Sequence, residues 1–334
     1  MGTTMFSSLS NKEKLIHELK DFYIPYRERL GLPNDTTFGL EIEFNIKGYD
    51  TKYKNKLYKE GYTNFEYQFL LALGLNTKWK IAYEMADRIE IISDVLNDDC
   101  KAWQYLKELL EFLTNHGAYY NGRGGSHVHV GYHVLQGNYD YITRFLKLYS
   151  CYENEIIRFT NGEYYFDRKE FCMMCRRLKE VLYRFLKQGN PELDLPKEIC
   201  DKVHSLSLFS TDVFLSGMLP EDPFSYNVSN TIEFRSPTLT LNPIIWQNNV
   251  NLITKLLLSA SSANFDDELL DYAFNLEKNK TLIGDSYSDE KAFELCDLVF
   301  DNDFDKYCFL RQYYKDFDNP AKKEAMAKSK PFWK

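Results

Sequence analysis

A chain of 334 residues with 25 Tyr, 24 Phe and 4 Trp, but only 16 Gly and 10 Pro, has the apolar mass for a packed core and the wrong composition for a disordered or fibrous protein. Its 49 Asp+Glu against 41 Lys+Arg give a net charge of −8 with no basic block, which argues against a nucleic-acid partner, and its best apolar run, residues 69–75, is too short to span a membrane. Seven scattered cysteines, and an N-terminus without an apolar signal core in which Phe6 breaks the myristoylation pattern, predict reduced thiols and a cytoplasmic location.

Ser10 with Glu13 forms a capping box ahead of Leu15, Ile16, Leu19 and Phe22, which predicts an amphipathic first helix. Pro33-Asn34-Asp35 breaks it, and Phe38 to Ile46 alternates like a strand. Residues 47–68, rich in Lys, Tyr and Asn, read as a solvated excursion or hairpin, and 79–93 as one or two further strands. Ala102 to Leu113 has helical spacing and ends at Asn115-His116-Gly117, a glycine cap. The Gly-rich run Asn121-Gly122-Arg123-Gly124-Gly125 leads into a short alternating strand, His127 to Gly131. Two long helical patterns follow, roughly 139–159 and 170–188, with an Asn161-Gly162 turn between them. Strands at 206–215 and 226–235 flank Pro220-Glu221-Asp222-Pro223. Asn242-Pro243 then caps and opens a helix whose apolar positions include Trp246, Val250, Ile253 and Leu257. From about residue 262 the chain is acidic, Tyr-rich and helical. Strands interrupted by helices, with turns too short for regular crossovers, predict an α+β fold on a largely antiparallel sheet. We divide it into an N-terminal helix and lead-in (1–37), a main domain (38–260) and a helical C-terminal appendage (261–334).

The chemistry sits on four of the strands. In Phe38-Gly39-Leu40-Glu41-Ile42-Glu43-Phe44 the period of two puts Glu41 and Glu43 on one face and Leu40, Ile42 and Phe44 on the other. A solvated strand face holding two glutamates is the plain reading, although like charges on one face repel and Glu is a poor strand former. His127-Val128-His129-Val130 repeats the pattern with imidazoles, and the glycines before it let the backbone lie close to a ligand. Thr231-Ile232-Glu233-Phe234-Arg235 offers Glu233 and Arg235, and Ile89-Glu90-Ile91 offers Glu90. Gathered in one sheet, Glu41, Glu43, Glu90 and Glu233 would repel one another strongly without cations. Carboxylates with one or two histidines suit Mg²⁺ or Mn²⁺ better than structural zinc, and a carboxylate-held cluster beside an arginine is what a triphosphate needs. There is no Walker motif and no complete GxGxxG.

GLEIEF, NGRGGSHVHVG and NTIEFRSPTLTLNP, spread over about residues 38–258, resemble the three signature strands of the glutamine synthetase-like carboxylate–amine ligases, in particular the amidoligase family of bacteria and phages. The resemblance implies a curved, largely antiparallel glutamine synthetase-like sheet, an ATP-dependent ligase, and divalent metals bridging protein and phosphates. By the same resemblance Glu41, Glu43, His127 and Glu233 would be metal ligands and His129 would lie nearer the nucleotide phosphates, while IEIISDVL, a looser match, would add Glu90 as a further metal ligand. Arg235 would steady the phosphate or acyl phosphate, and Arg123, Gly124 and Gly125 would approach the nucleotide. Thr231 stands where glutamine synthetase has the first arginine of R-x-E-x-R, so other arginines must cover the phosphates, with Arg123 and Arg168 as candidates. Tyr152-Glu153 followed by Arg168 resembles a Tyr-Glu helix and downstream arginine of that family, and Glu84 or Asp87 is the acid expected before Glu90.

Cys172, Cys175, Cys200 and His204 have zinc-like ligand types, but Phe171, Met174 and Leu178 around the first pair read as core packing. His133 is peripheral, and no Ser-His-Asp or Cys-His order stands out. The expected function is therefore an amide- or isopeptide-forming ligase that uses ATP and two or more Mg²⁺ or Mn²⁺ ions. Its partners are a carboxylate and an amine substrate, each a small molecule, peptide or protein, with no nucleic acid and no membrane. The alternative is a catalytically inactive metal-nucleotide-binding or structural module of the same fold; a cupin-like metal hydrolase or oxygenase built on His127 and His129 ranks last.

Overall fold

The computed structural model describes residues 15, 18–19, 22–83, 88–120, 125–162, 178–189, 231–279 and 287–314. Its centre is an open, antiparallel, seven-stranded sheet built around β1 (Thr37–Ile46). On one side β1 pairs with β3 (Arg88–Ile92), which pairs with the edge strand β2 (Lys80–Tyr83). On the other it pairs with β6 (Ser126–Gly131), which pairs with β7 (Thr231–Phe234). Two short strands, β4 (Leu96–Asn97) and β5 (Ala118–Tyr119), add to the two ends of β1.

The alternation in these strands becomes two chemically distinct faces. Leu40, Ile42, Phe44, Ile89, Ile91, Val128, Val130, Ile232 and Phe234 are all buried on the apolar face. Helices cover it: α3 (Cys100–Asn115) stacks Trp103 on Phe38 at 5.1 Å, and α4 (Tyr139–Thr160) packs Phe145 and Tyr149 against Phe234. Asp99 caps the start of α3 by accepting from the Ala102 amide, and the glycine stop lies where expected, with Gly117 at φ +80°. A further helix, α6 (Pro243–Ala260), starts with proline in its first turn under the cap of Asn242, whose side chain accepts from Ile244 N. Leu15 and Leu19 are buried and belong to the same core, in line with an apolar face on the N-terminal helix.

The C-terminal helices α7 (Asp267–Asn279), α8 (Asp289–Val299) and α9 (Asp303–Tyr314) pack on α4 and α6. Leu270, Phe274, Leu295 and Phe309 join the same hydrophobic cluster as the sheet. Residues 47–68 are largely solvent-facing, as a solvated excursion would be, but are helical where a hairpin was the alternative. They form α1 (Thr51–Lys59) and open α2 (Phe65–Ala72), with Asp50 capping α1 by accepting from Tyr53 N. The apolar stripe of α1 is too thin to read, since only Leu57 is buried; what anchors the pair is an aromatic contact of Tyr49 and Tyr53 with Phe69, at 5.2 and 5.0 Å. The remaining helix, α5 (Leu178–Lys187), lies within the 170–188 pattern; the rest of that pattern and the strand expected at 206–215 lie outside the described residues. No described helix is long and apolar enough to cross a membrane.

Candidate metal centre

The opposite face of the sheet gathers the acids and imidazoles because the pairing registers are in phase. Glu43 lies across from Glu90, Glu41 from His127, and His129 from Glu233. All six side chains therefore project from one side, while their sequence neighbours fill the core.

Glu41 is the hub. Its Oε2 accepts from His127 Nδ1 at 2.6 Å and its Oε1 from His129 Nε2 at 3.0 Å. His127 Nδ1 also lies 3.2 Å from Glu233 Oε1, and its Nε2 faces Glu43 Oε1 at 3.7 Å. Thr231 Oγ1, 3.1 Å from His129 Nδ1, can donate to that nitrogen while Nε2–H points at Glu41. Burial works to raise the Glu41 pKa, but hydrogen bonds and positive charge from His127 and His129 outweigh it and hold the carboxyl well below the ordinary range.

Among the described residues, two sets of donor atoms lie close enough to hold a metal ion. One is Glu41, Glu90 and His127; the other is Glu41, His129 and Glu233; in each, the donor atoms are within 4.8 Å of one another. Glu41 belongs to both, as a bridging carboxylate would. His129, expected nearer the phosphates, thus stands among the possible ligands. Glu43 is in neither set: its Oε2 accepts from Arg88 NH1 at 2.7 Å and from the Gly125 amide at 3.0 Å. Three carboxylates and two imidazoles, with no thiolate, form a donor set that fits a hard or borderline divalent cation such as Mg²⁺ or Mn²⁺.

Arg235 stands at the rim, its NH1 donating to Glu233 Oε1; it is 30% exposed where Glu233 is 6% exposed. Arg88 is the functional-site residue the sequence reading passed over. It has the same strand parity as Glu90, two residues on, and period-two counting alone puts it on the acidic face. Arg123, Gly124, Arg168, Glu84, Asp87, Cys172, Cys175, Cys200 and His204 lie outside the described residues. The Tyr152-Glu153 pair sits elsewhere in the structure. Glu153 is fully buried and accepts from Leu178 N and Lys179 N at the start of α5, and Tyr152 OH donates to Glu294. His133 is peripheral, its Nε2 donating to the Asp35 carbonyl. A surface concavity beside α1, lined by Asp50, Lys52, Tyr53, Lys56 and Lys59, contains none of the clustered acids or histidines; it is the outer side of one exposed helix.

No protein-family model and no curated protein matches the chain.

Proposed function

We propose that the acidic sheet face is the active site of an ATP-dependent carboxylate–amine ligase of the glutamine synthetase-like fold. The observation that carries this reading is Glu41, one carboxylate shared by two metal-capable triads on a face that also presents Arg235. The three strand motifs that resemble the amidoligases supply Glu41, His127, His129, Glu233 and Arg235 in that order, with Glu90 from a strand between the first two. A free carboxylate is a poor electrophile, and ATP as co-substrate would convert it to an acyl phosphate with release of ADP; attack by an amine then forms the amide and expels phosphate. Glu41, Glu90, His127, His129 and Glu233 would hold divalent ions that screen the phosphate charge. Arg235 would turn from Glu233 toward the oxygens of the transferring phosphoryl group. The substrates in this reading are a peptide, protein or amino-acid carboxylate and an amino group.

The test is ADP and phosphate release from Mg-ATP in the presence of amino acids, polyamines and a cell extract, with Glu233→Gln alongside. We expect extract-dependent ADP formation that disappears in the variant while its metal-free melting temperature stays near that of the parent. Undiminished turnover in Glu233→Gln would remove this face from the mechanism. A second reading, a metal-nucleotide-binding module without chemistry, draws on Thr231 in place of an arginine and on the engagement of Arg235 with Glu233. It requires stabilisation by Mg-ATP with no product from any amine.

A further inference from the structure

Within the proposed metal-dependent reading, on which this inference rests, we infer that Arg88 is a positioning residue that turns Glu43 Oε1 toward His127, a member of one metal-capable triad to which Glu43 itself does not belong. The two oxygens of Glu43 have different surroundings. Oε2 receives two donors, Arg88 NH1 at 2.7 Å and the Gly125 amide at 3.0 Å. Oε1 is turned toward His127 Nε2, the ring nitrogen opposite the one that donates to Glu41. A carboxylate pinned through one oxygen presents the other in a fixed direction, which is how outer hydrogen bonds orient metal-binding side chains. Both partners are well shielded, with the Arg88 side chain 12% and that of Glu43 6% exposed, so the pair is held with little freedom to swing.

The arrangement also ties three parts of the site together. Arg88 comes from β3, Glu43 from β1, and the Gly125 amide from the residue that ends the Gly-rich run before β6. Gly125 is itself bridged to Thr238, and Ser126 N donates to the Pro237 carbonyl, just beyond β7. Glu43 Oε2 is therefore a point at which Gly125, just ahead of β6, is held to the central strand.

The experiment is Mn²⁺ titration followed by electron paramagnetic resonance, with thermal melting in excess chelator as a parallel readout. Arg88→Gln should weaken Mn²⁺ binding by about 10- to 100-fold, the usual consequence of losing an outer-shell partner. Arg88→Lys, which keeps a charged donor but not the fork, should recover part of that loss, and it carries the measurement if Arg88→Gln does not fold. In a Glu43→Gln background, Arg88→Gln should add little further loss, because both changes act through one oxygen pair. If the parent binds Mn²⁺ and Arg88→Gln binds it equally well or more tightly, the inference is overturned. Lowered melting in chelator with unchanged Mn²⁺ affinity would reduce Arg88 to a tie between β1 and β3. A parent that binds no Mn²⁺ overturns the metal reading and the inference together, an outcome distinct from failure of the Arg88 variants alone.

Discussion

Each oxygen of Glu41 meets a different histidine, and both metal-capable triads pass through this one side chain. Glu41→Gln should therefore abolish binding at both positions, whereas His129→Ala should spare the triad of Glu41, Glu90 and His127. Counting bound Mn²⁺ per chain distinguishes them, and equal stoichiometry in the two variants would contradict the shared-ligand geometry. Protons compete with a metal ion for the carboxylate and imidazole donor atoms of the two triads. Mn²⁺ affinity should accordingly fall as pH is lowered, with proton release visible as a dependence of the calorimetric heat on buffer ionisation enthalpy. At this scale the sequence was legible wherever strand parity decides the answer, as for Glu41, Glu90, His127, His129 and Glu233. Parity does not say which oxygen of Glu43 is occupied. That depends on Arg88 and Gly125, 45 and 82 residues away.

Among the elements, α5 is capped from outside. Its first two described amides, Leu178 N and Lys179 N, donate to the two oxygens of Glu153 on α4, at 2.7 and 3.0 Å. Glu153→Ala would remove the carboxylate that both amides donate to, one of them buried and the other part-buried, and should cost about 2–3 kcal/mol. Mn²⁺ affinity should stay unchanged, which chemical denaturation and titration of the same variant would show. The turn after α4 offers a second check. Gly162 has φ +56°, and a Cβ there would sit 2.9 Å from Ile245 Cγ2, so Gly162→Ala combines backbone strain with a collision and should lose about 1–3 kcal/mol. The Asn161-Gly162 turn was readable because a glycine after a helical run has a local cause. The role of Glu153 was not: its partner amides are 25 and 26 residues downstream, and nothing in Tyr152-Glu153 as a dipeptide separates a cap from a ligand. The solvated character of residues 51–59 was legible but their helical form was not, because most of α1 faces solvent and its packing depends on an aromatic contact with the next helix.

For the molecule as a whole, a buried carboxylate fastens the two ends of the described chain. Asp305 on α9 pairs with Arg27 of the lead-in at 2.6 Å and with Lys255 of α6 at 2.8 Å, and it accepts from Asn251 and Asn302. Burial raises its pKa, but the hydrogen bonds from Lys255 and Asn302 and the charges of Lys255 and Arg27 prevail, and the carboxyl is held below the ordinary value of 3.8. A folded-state pKa below the unfolded one stabilises the protein above pH 4 and loses that contribution as pH falls through the folded value. Asp305→Asn should thus lower stability by about 3 kcal/mol at neutral pH, since Arg27 loses this carboxylate and Lys255 keeps only its longer pairing with exposed Asp301, at 3.5 Å. It should also flatten the loss of stability on the acid side; denaturant midpoints from pH 6 down to pH 3 measure both, and an unchanged acid limb would refute the assignment.

The two faces of the sheet, the acids and imidazoles reserved for one of them, the glycine and asparagine signals at helix ends and the α+β character all follow from spacing along the chain, because side-chain direction in strands and helices repeats every two or 3.6 residues. Folding settled what spacing leaves open: that Glu41 stands between two histidines, that Glu43 is taken up by Arg88 and Gly125, that Glu153 serves a helix, and that helices after residue 266 share the core of the sheet. Each of these rests on pairing register or on packing between segments far apart in sequence. Such contacts are fixed by the total burial and polar satisfaction of the folded chain, which no local pattern encodes.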